Sequence, residues 1–164
     1  MRTMLTFLLL TMFSVVAQAQ QFQRIEILNA GIYKLEKTGT SVAPGVAAGY
    51  TNVIAKETLI QKTTTVPATL GTRFGFRYRI IGQPNGATVN LKFVTRYPTP
   101  GVRNPATDNT LMRGEYLDSI KLGNEGYKGY GFDNDWELVT GIWTLEIWQE
   151  NRKLAEQRFT VVKP

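Results

Sequence analysis

The sequence predicts an all-β protein, an antiparallel β-sandwich of immunoglobulin-like character with about seven strands. Three observations predict it. Apolar and polar residues alternate with period 2, and no segment sustains the 3.6-residue period of an amphipathic helix. Clusters rich in Gly, Pro, Asn and Asp punctuate the alternation at strand-length intervals. The segments so bounded are rich in β-branched and aromatic residues, which suit a pleated, half-buried surface. An eight-stranded barrel stays open if Gly31 divides the first strand.

In chain order, "FQRIEILNAGIYKLEK" (22–37) reads as a strand kinked at Gly31, followed by the loop "TGTSVAPGVAAG". "TNVIAKETLIQKTTTV" (51–66) is a second strand, stopped by Pro67. "TRFGFRYRII" puts Phe74, Phe76, Tyr78 and Ile80 on one face and Arg73, Gly75, Arg77 and Arg79 on the other. "GQPNG" (82–86) supplies a turn, since Pro84 presets one backbone angle and Asn85-Gly86 tolerate positive φ. "ATVNLKFVTRY" (87–97) then gives a face of Val89, Leu91, Phe93, Thr95 and Tyr97, with Asn90, Lys92, Val94 and Arg96 opposite. The two segments are expected to form a hairpin with one apolar and one basic side.

Three prolines in "PTPGVRNPATDNTLMRG" (98–114) forbid a central strand there. "EYLDSIKL" (115–122) is a short strand, and "GNEGYKGYGFDND" (123–135) reads as a glycine- and aromatic-rich loop. "WELVTGIWTLEIWQ" and "KLAEQRFTVV" close the chain as a second hairpin around "ENRK". In that hairpin Trp143 shares a face with Leu145 and Ile147 and belongs to the core. Trp148, five positions on, falls on the opposite face with Thr144 and Glu146. It must be returned inward by a β-bulge, covered by a neighbour, or left as a contact for a partner.

The chain opens with Arg2, an apolar run from Met4 to Val16 and Ala17-Gln18-Ala19. The run is too short to span a bilayer and carries a small-x-small cleavage site, so it reads as a secretory signal peptide, 1–19. The mature chain, 20–164, is expected to be one domain, periplasmic or secreted, with no transmembrane segment and no lipidation cysteine. Without Arg2, 18 of the 19 basic residues remain against 13 acidic ones, a mature net charge of +5. That excess favours anionic partners. The chain has no cysteine and no histidine. Histidine-based triads and proton shuttles are therefore closed to it, and the common zinc, copper and haem sites lose their main ligands.

Two groups of residues are candidate binding surfaces. Arg73, Arg77 and Arg79, with Lys92 and Arg96 on the expected partner strand, would form a cationic stripe suited to phosphate or carboxylate groups. Tyr127, Tyr130 and Trp136, with Phe132 nearby, could offer flat rings for stacking on sugars, or could fold back to plug one end of the sandwich. Asp133, Asp135 and Glu137 lack the frame of a calcium loop, and no nucleophile elbow or phosphate loop is present.

The pieces "LGTRFGFRYRIIGQPNG", "VTRYPTPGV" and "WELVTGIWTLEIWQENRKLAEQRFTV" resemble a family of secreted bacterial domains of unknown function. The shared pattern is a glycine-tyrosine strand (Gly31 to Tyr33), an F-G-F strand (Phe74 to Phe76), a P-x-P-G loop (Pro98 to Gly101), and a G-x-W…F-x-V hairpin (Gly141 to Trp143, Phe159 to Val161). The resemblance implies a fold and a compartment but no chemistry. The expectation is a non-enzymatic binding module whose partner is an envelope protein or an anionic envelope component. Nucleic acid is not expected, and neither is a cofactor or metal. The alternative is a carbohydrate-binding or carbohydrate-active envelope domain, with Tyr127, Tyr130 and Trp136 as its platform.

Overall fold

The computed structural model describes residues 21–164. The segment read as a signal peptide lies outside the described residues. The described residues form eleven strands: β1 (Gln21–Val42), β2 (Tyr50–Lys62), β3 (Thr65–Pro67), β4 (Arg73–Gln83), β5 (Thr88–Arg96), β6 (Val102–Asn104), β7 (Asn109–Leu111), β8 (Arg113–Lys121), β9 (Glu125–Gly131), β10 (Gly141–Gln149) and β11 (Arg152–Val162). They stack as a sandwich. One sheet has the order β2-β1-β4-β9 and the other β3-β11-β10-β5-β8, with β6 and β7 forming a separate two-stranded ribbon. All pairs are antiparallel except β3 with β11.

The faces read from alternation hold. Phe74, Phe76, Tyr78 and Ile80 of β4 are at most 1% exposed, and Val89, Leu91, Phe93 and Thr95 of β5 at most 5%. Trp143 lies at the centre, 5.9 Å from the Phe74 ring and 5.2 Å from Tyr97. Aromatic rings this size each contribute on the order of 2–3 kcal/mol on burial.

The expected hairpin of β4 with β5 does not form. β4 pairs with β1 and β9 in the first sheet, whereas β5 pairs with β10 and β8 in the second. The turn at Pro84 to Gly86 arches from one layer to the other, so the two apolar faces meet across the core, with Tyr78 and Phe93 rings 6.1 Å apart. Two strands each with one strongly apolar face bury both faces this way. As sheet neighbours they would need a third element to cover them.

Gly31 does not end β1. It is the point where β1 changes partner, opposite Gly75 of β4 on one side and Lys62 of β2 on the other. A Cβ at Gly31 would run into the Gln61 carbonyl, which is why glycine stands there. Beyond it the β1–β2 hairpin leaves the sheet and reaches the other layer. Its tip accepts a hydrogen bond at the Gly45 carbonyl from the Glu115 N–H of β8, at 2.9 Å. The Ala47 carbonyl accepts another from the Asn104 side chain at 2.8 Å. Among the described residues, this arm joins β9, at the edge of the first sheet, to β8, at the edge of the second.

The stretch read as a loop, 123–135, is in large part strand. β9 lies flat against β4, with Gly129 opposite Gly75 and Gly131 opposite Arg73. Glycines that suggested a loop serve instead to leave room: the Tyr127 side chain lies over Gly75 and Gly129, and Arg73 lies over Gly131.

Candidate functional site

Because β4 and β5 are in different sheets, the five-cation stripe is divided between opposite outer faces. Arg73, Arg77 and Arg79 stay on the first sheet, and each has an internal partner. Arg73 pairs with Asp133, which also meets Lys37 at 3.4 Å. Arg77 lies between Glu57 at 3.1 Å and Glu125 at 2.6 Å, and Arg79 also pairs with Glu125. The Arg79 hydrogen bond, helped by the charge of Arg77, holds the Glu125 carboxyl below the usual range. These arginines fall into two ion-pair groups, Arg73 with Asp133 and Lys37, and Arg77 and Arg79 around Glu57 and Glu125.

The aromatic group is divided as well. Tyr127 points outward and packs edge-on against Tyr33, with ring centres 4.9 Å apart. Tyr130 points inward, 4.7 Å from the Trp143 ring, and its hydroxyl donates to Glu137 at 2.7 Å. Trp136 packs against the core cluster and Phe132 is fully buried. The three rings do not share a platform, because alternation in β9 sends Tyr127 and Tyr130 to opposite faces. Glu137 is buried within the short 3-10 turn Asp135–Glu137, where its carboxylate accepts the backbone N–H groups of Asp133 and Asn134 at 2.8 and 2.7 Å. The acidic group thus closes a turn, with Asp133 held by Arg73.

Lys92 and Arg96 lie on the outer face of the second sheet, and there the register assembles an arrangement that the sequence did not reveal as a unit. Reading across β8, β5, β10 and β11, one row is Leu117, Lys92, Trp148 and Lys153. The next is Glu115, Val94, Glu146 and Glu156, and the third is Arg113, Arg96, Thr144 and Arg158. An acidic row therefore runs between two cationic ones. Glu146 is only 2% exposed although it sits on the outer side. It accepts from Arg96 Nε at 2.8 Å and from Trp148 Nε1 at 2.7 Å, and Lys153 Nζ stands 3.7 Å away.

Trp148 is half-buried on this face. The ammonium groups of Lys92 and Lys153 lie 6.0 and 5.8 Å from its ring centre, one from each neighbouring strand, at the outer limit of cation–π attraction. A bulge between Ile147 and Trp148 shifts the register against β11 so that Lys153 comes opposite the ring. The bulge does not return Trp148 to the core. Leu117, at the end of the same row, is 76% exposed. Lys153 also pairs with Glu156, so the result is a ring and an aliphatic side chain beside Lys92 and the paired Lys153 on the outer sheet face.

A second feature lies between the sheets. Lys128 of β9 is 2% exposed, points into the molecule and donates to the Thr95 hydroxyl at 3.0 Å, with the Tyr116 ring 5.1 Å away. Burial alone pushes its amine down to about 7. Within β9, alternation puts Lys128 on the face of Tyr130, but a stretch read as a loop gives it no face, and nothing in the sequence distinguishes it from a solvated lysine.

Together these features define an immunoglobulin-like β-sandwich with a mixed aromatic and cationic outer face. A solved immunoglobulin-like protein from Pseudomonas aeruginosa has the same architecture, with a TM-score of 0.61 and 28% identity over 89% of this chain and 99% of that one. The chain belongs to the family described as a domain of unknown function (DUF3859), which matches residues 21–161. A β-D-glucoside glucohydrolase from Trichoderma reesei overlaps 92% of this chain but 20% of its own, at 12% identity and a TM-score of 0.36, too low to carry an argument. No curated protein matches the chain.

Proposed function

We propose that the protein is a non-enzymatic binding module of the bacterial envelope, periplasmic or secreted, and that it takes an anionic envelope component on the outer face of its second sheet. The observation that carries this reading is Trp148, held on a flat face between the ammonium groups of Lys92 and Lys153. The buried Glu146 carboxylate fixes the indole from below, so the ring is preorganised and little freedom is lost on contact. Phosphate-bearing headgroups meet cations there, and the ring and Leu117 supply apolar contact. Lys153 is itself paired with Glu156 and Glu146, and Arg96 with Glu146, so Lys92 is the cation of this group without a carboxylate partner among the described residues; on the first sheet Arg73, Arg77 and Arg79 are all matched by Glu57, Glu125 and Asp133. Sugar stacking is also poorly served, since the flanking ammonium groups crowd the one ring that this face presents.

The test is vesicle co-sedimentation, comparing phosphatidylglycerol with phosphatidylcholine at low and high salt. Binding to the anionic vesicles is expected to fade with ionic strength. It should fall at least tenfold in the double variant Lys92→Glu, Lys153→Glu, whereas Lys34→Glu on the first sheet makes the same kind of charge change with little effect. Equal binding to both lipids, no binding to either, or equal sensitivity to Lys34→Glu would overturn the reading.

A further inference from the structure

The cavity beside Lys128 lies where the β1–β2 arm crosses β9, apart from the outer face of the second sheet. It is a partly open pocket of about 120 Å³, lined by Leu35, Ile54, Thr95, Tyr97, Tyr116 and Tyr127 around Lys128, and also by Arg73, Asp133 and Glu137. A volume near this size accommodates a molecule as large as benzene. It adjoins a cleft of about 740 Å³ between the arm and β8, and Thr51, Asn52, Ile54, Tyr116 and Tyr127 line both.

The wall has donors to spare. An ammonium carries three N–H donors, and the Thr95 hydroxyl takes one from Lys128. The Tyr127 hydroxyl oxygen is buried without a hydrogen-bond partner, while that of Tyr97 lies within reach of the Ala47 backbone. The acceptors, by contrast, are occupied. Glu137 is held by Tyr130 and two backbone N–H groups, and Asp133 by Arg73 and Lys37. Lys128 forms no ion pair among the described residues. A buried cation with no counter-charge is costly, and unpaired buried donors add to that cost.

We propose that this cavity is a binding site for a small organic monoanion, a short-chain carboxylate whose head accepts from Lys128 and whose tail lies against Leu35, Ile54 and the tyrosine rings. Such a ligand supplies the acceptor oxygens and the negative charge that the wall lacks. Binding is then linked to protonation. Of the groups around the amine, the phenols of Tyr97, Tyr116 and Tyr130, with those of Tyr50 and of Tyr127 on the other face of β9, are all pushed upward by burial. Asp133, Glu137 and Arg73 are held in the pairs already described. Lys128 is the group that changes charge near neutrality.

Isothermal titration of the protein with propionate and butyrate tests this, against chloride at matched ionic strength. Saturable millimolar binding is expected at pH 6.5, weakening about tenfold per pH unit once the unliganded amine is neutral. Lys128→Met should remove it while the variant melts at a higher temperature. In the wild-type protein the Lys128 Nζ resonance should shift saturably with propionate, a readout independent of whether the variant folds. Heats no larger than those of chloride, an unmoved Nζ resonance, or undiminished binding by a folded Lys128→Met protein would show that the amine serves only the Thr95 hydrogen bond.

Discussion

The indole Nε1 of Trp148 donates to the carboxylate of Glu146, two residues back on the same outward face of β10, at 2.7 Å. The bond makes the ring and the acid one unit. Glu146 is shielded by the ring and by Arg96, and the ring is oriented by an acid it could not reach if it turned into the core.

Removal of the acid should therefore be felt throughout the face. Glu146→Ala leaves Arg96 and the indole N–H without their acceptor, while Lys153 keeps Glu156. Loss of one partner of a buried pair costs about 3–5 kcal/mol. Arg96 and Lys153 are 49% and 40% exposed and regain water, so the expected loss is smaller, about 2 kcal/mol, read from urea denaturation.

Trp148→Ala should lower stability by about 1–2 kcal/mol, intermediate between a core and a surface truncation. Trp148→Phe, which keeps a ring but not the N–H, should lose about 1 kcal/mol. A loss above about 4 kcal/mol for Trp148→Ala would match core truncations and contradict the half-buried placement.

Stability should rise with pH from about 7 towards 10. Lys128 is pushed down to about 7 in the folded protein and titrates near 10.4 when unfolded. Between those values the unfolded chain binds a proton that the folded chain does not, so the slope approaches about 1.4 kcal/mol per pH unit. Below 7 both states are protonated and the full penalty is present. Above about 10 the trend reverses. Burial raises Tyr97 to about 12 and raises Tyr78 and Tyr116 as well, so unfolded phenols ionise while folded ones stay neutral. Denaturation midpoints across this range should show the rise in the wild type and its absence in Lys128→Met.

Gly31→Val should detach the arm. The side chain would meet the Gln61 carbonyl, a backbone atom that cannot rotate away, and overpacking of this kind costs about 1–3 kcal/mol or more. Amide exchange should quicken first in β2 and around Gly45, before the β10–β11 pair.

Much of the sandwich was legible because alternation reports faces directly: the inward residues of β4, β5 and β10 are those the period selects. Alternation does not report neighbours. An apolar face on β4 and another on β5 are equally compatible with lying side by side or face to face, and only the second buries both. The reading of 123–135 failed for a related reason, since glycines in "EGYKGYG" signal either a flexible loop or a strand on which large side chains lie. The site was half-legible. Glu146 and Trp148 share a face in a β10 without a bulge between them, but the placing of Lys153 beside the ring depends on a bulge against β11, and the burial of Lys128 depends on an arm that folds back from a distant part of the chain.

The most direct test of the proposed contact surface is an amide and indole shift map recorded as phosphatidylglycerol nanodiscs are added. Changes centred on Lys92, Arg96, Lys153 and the Trp148 indole, removed by high salt, are the expected result. Changes centred on Arg73, Arg77 and Arg79, or a map that does not move, would contradict it.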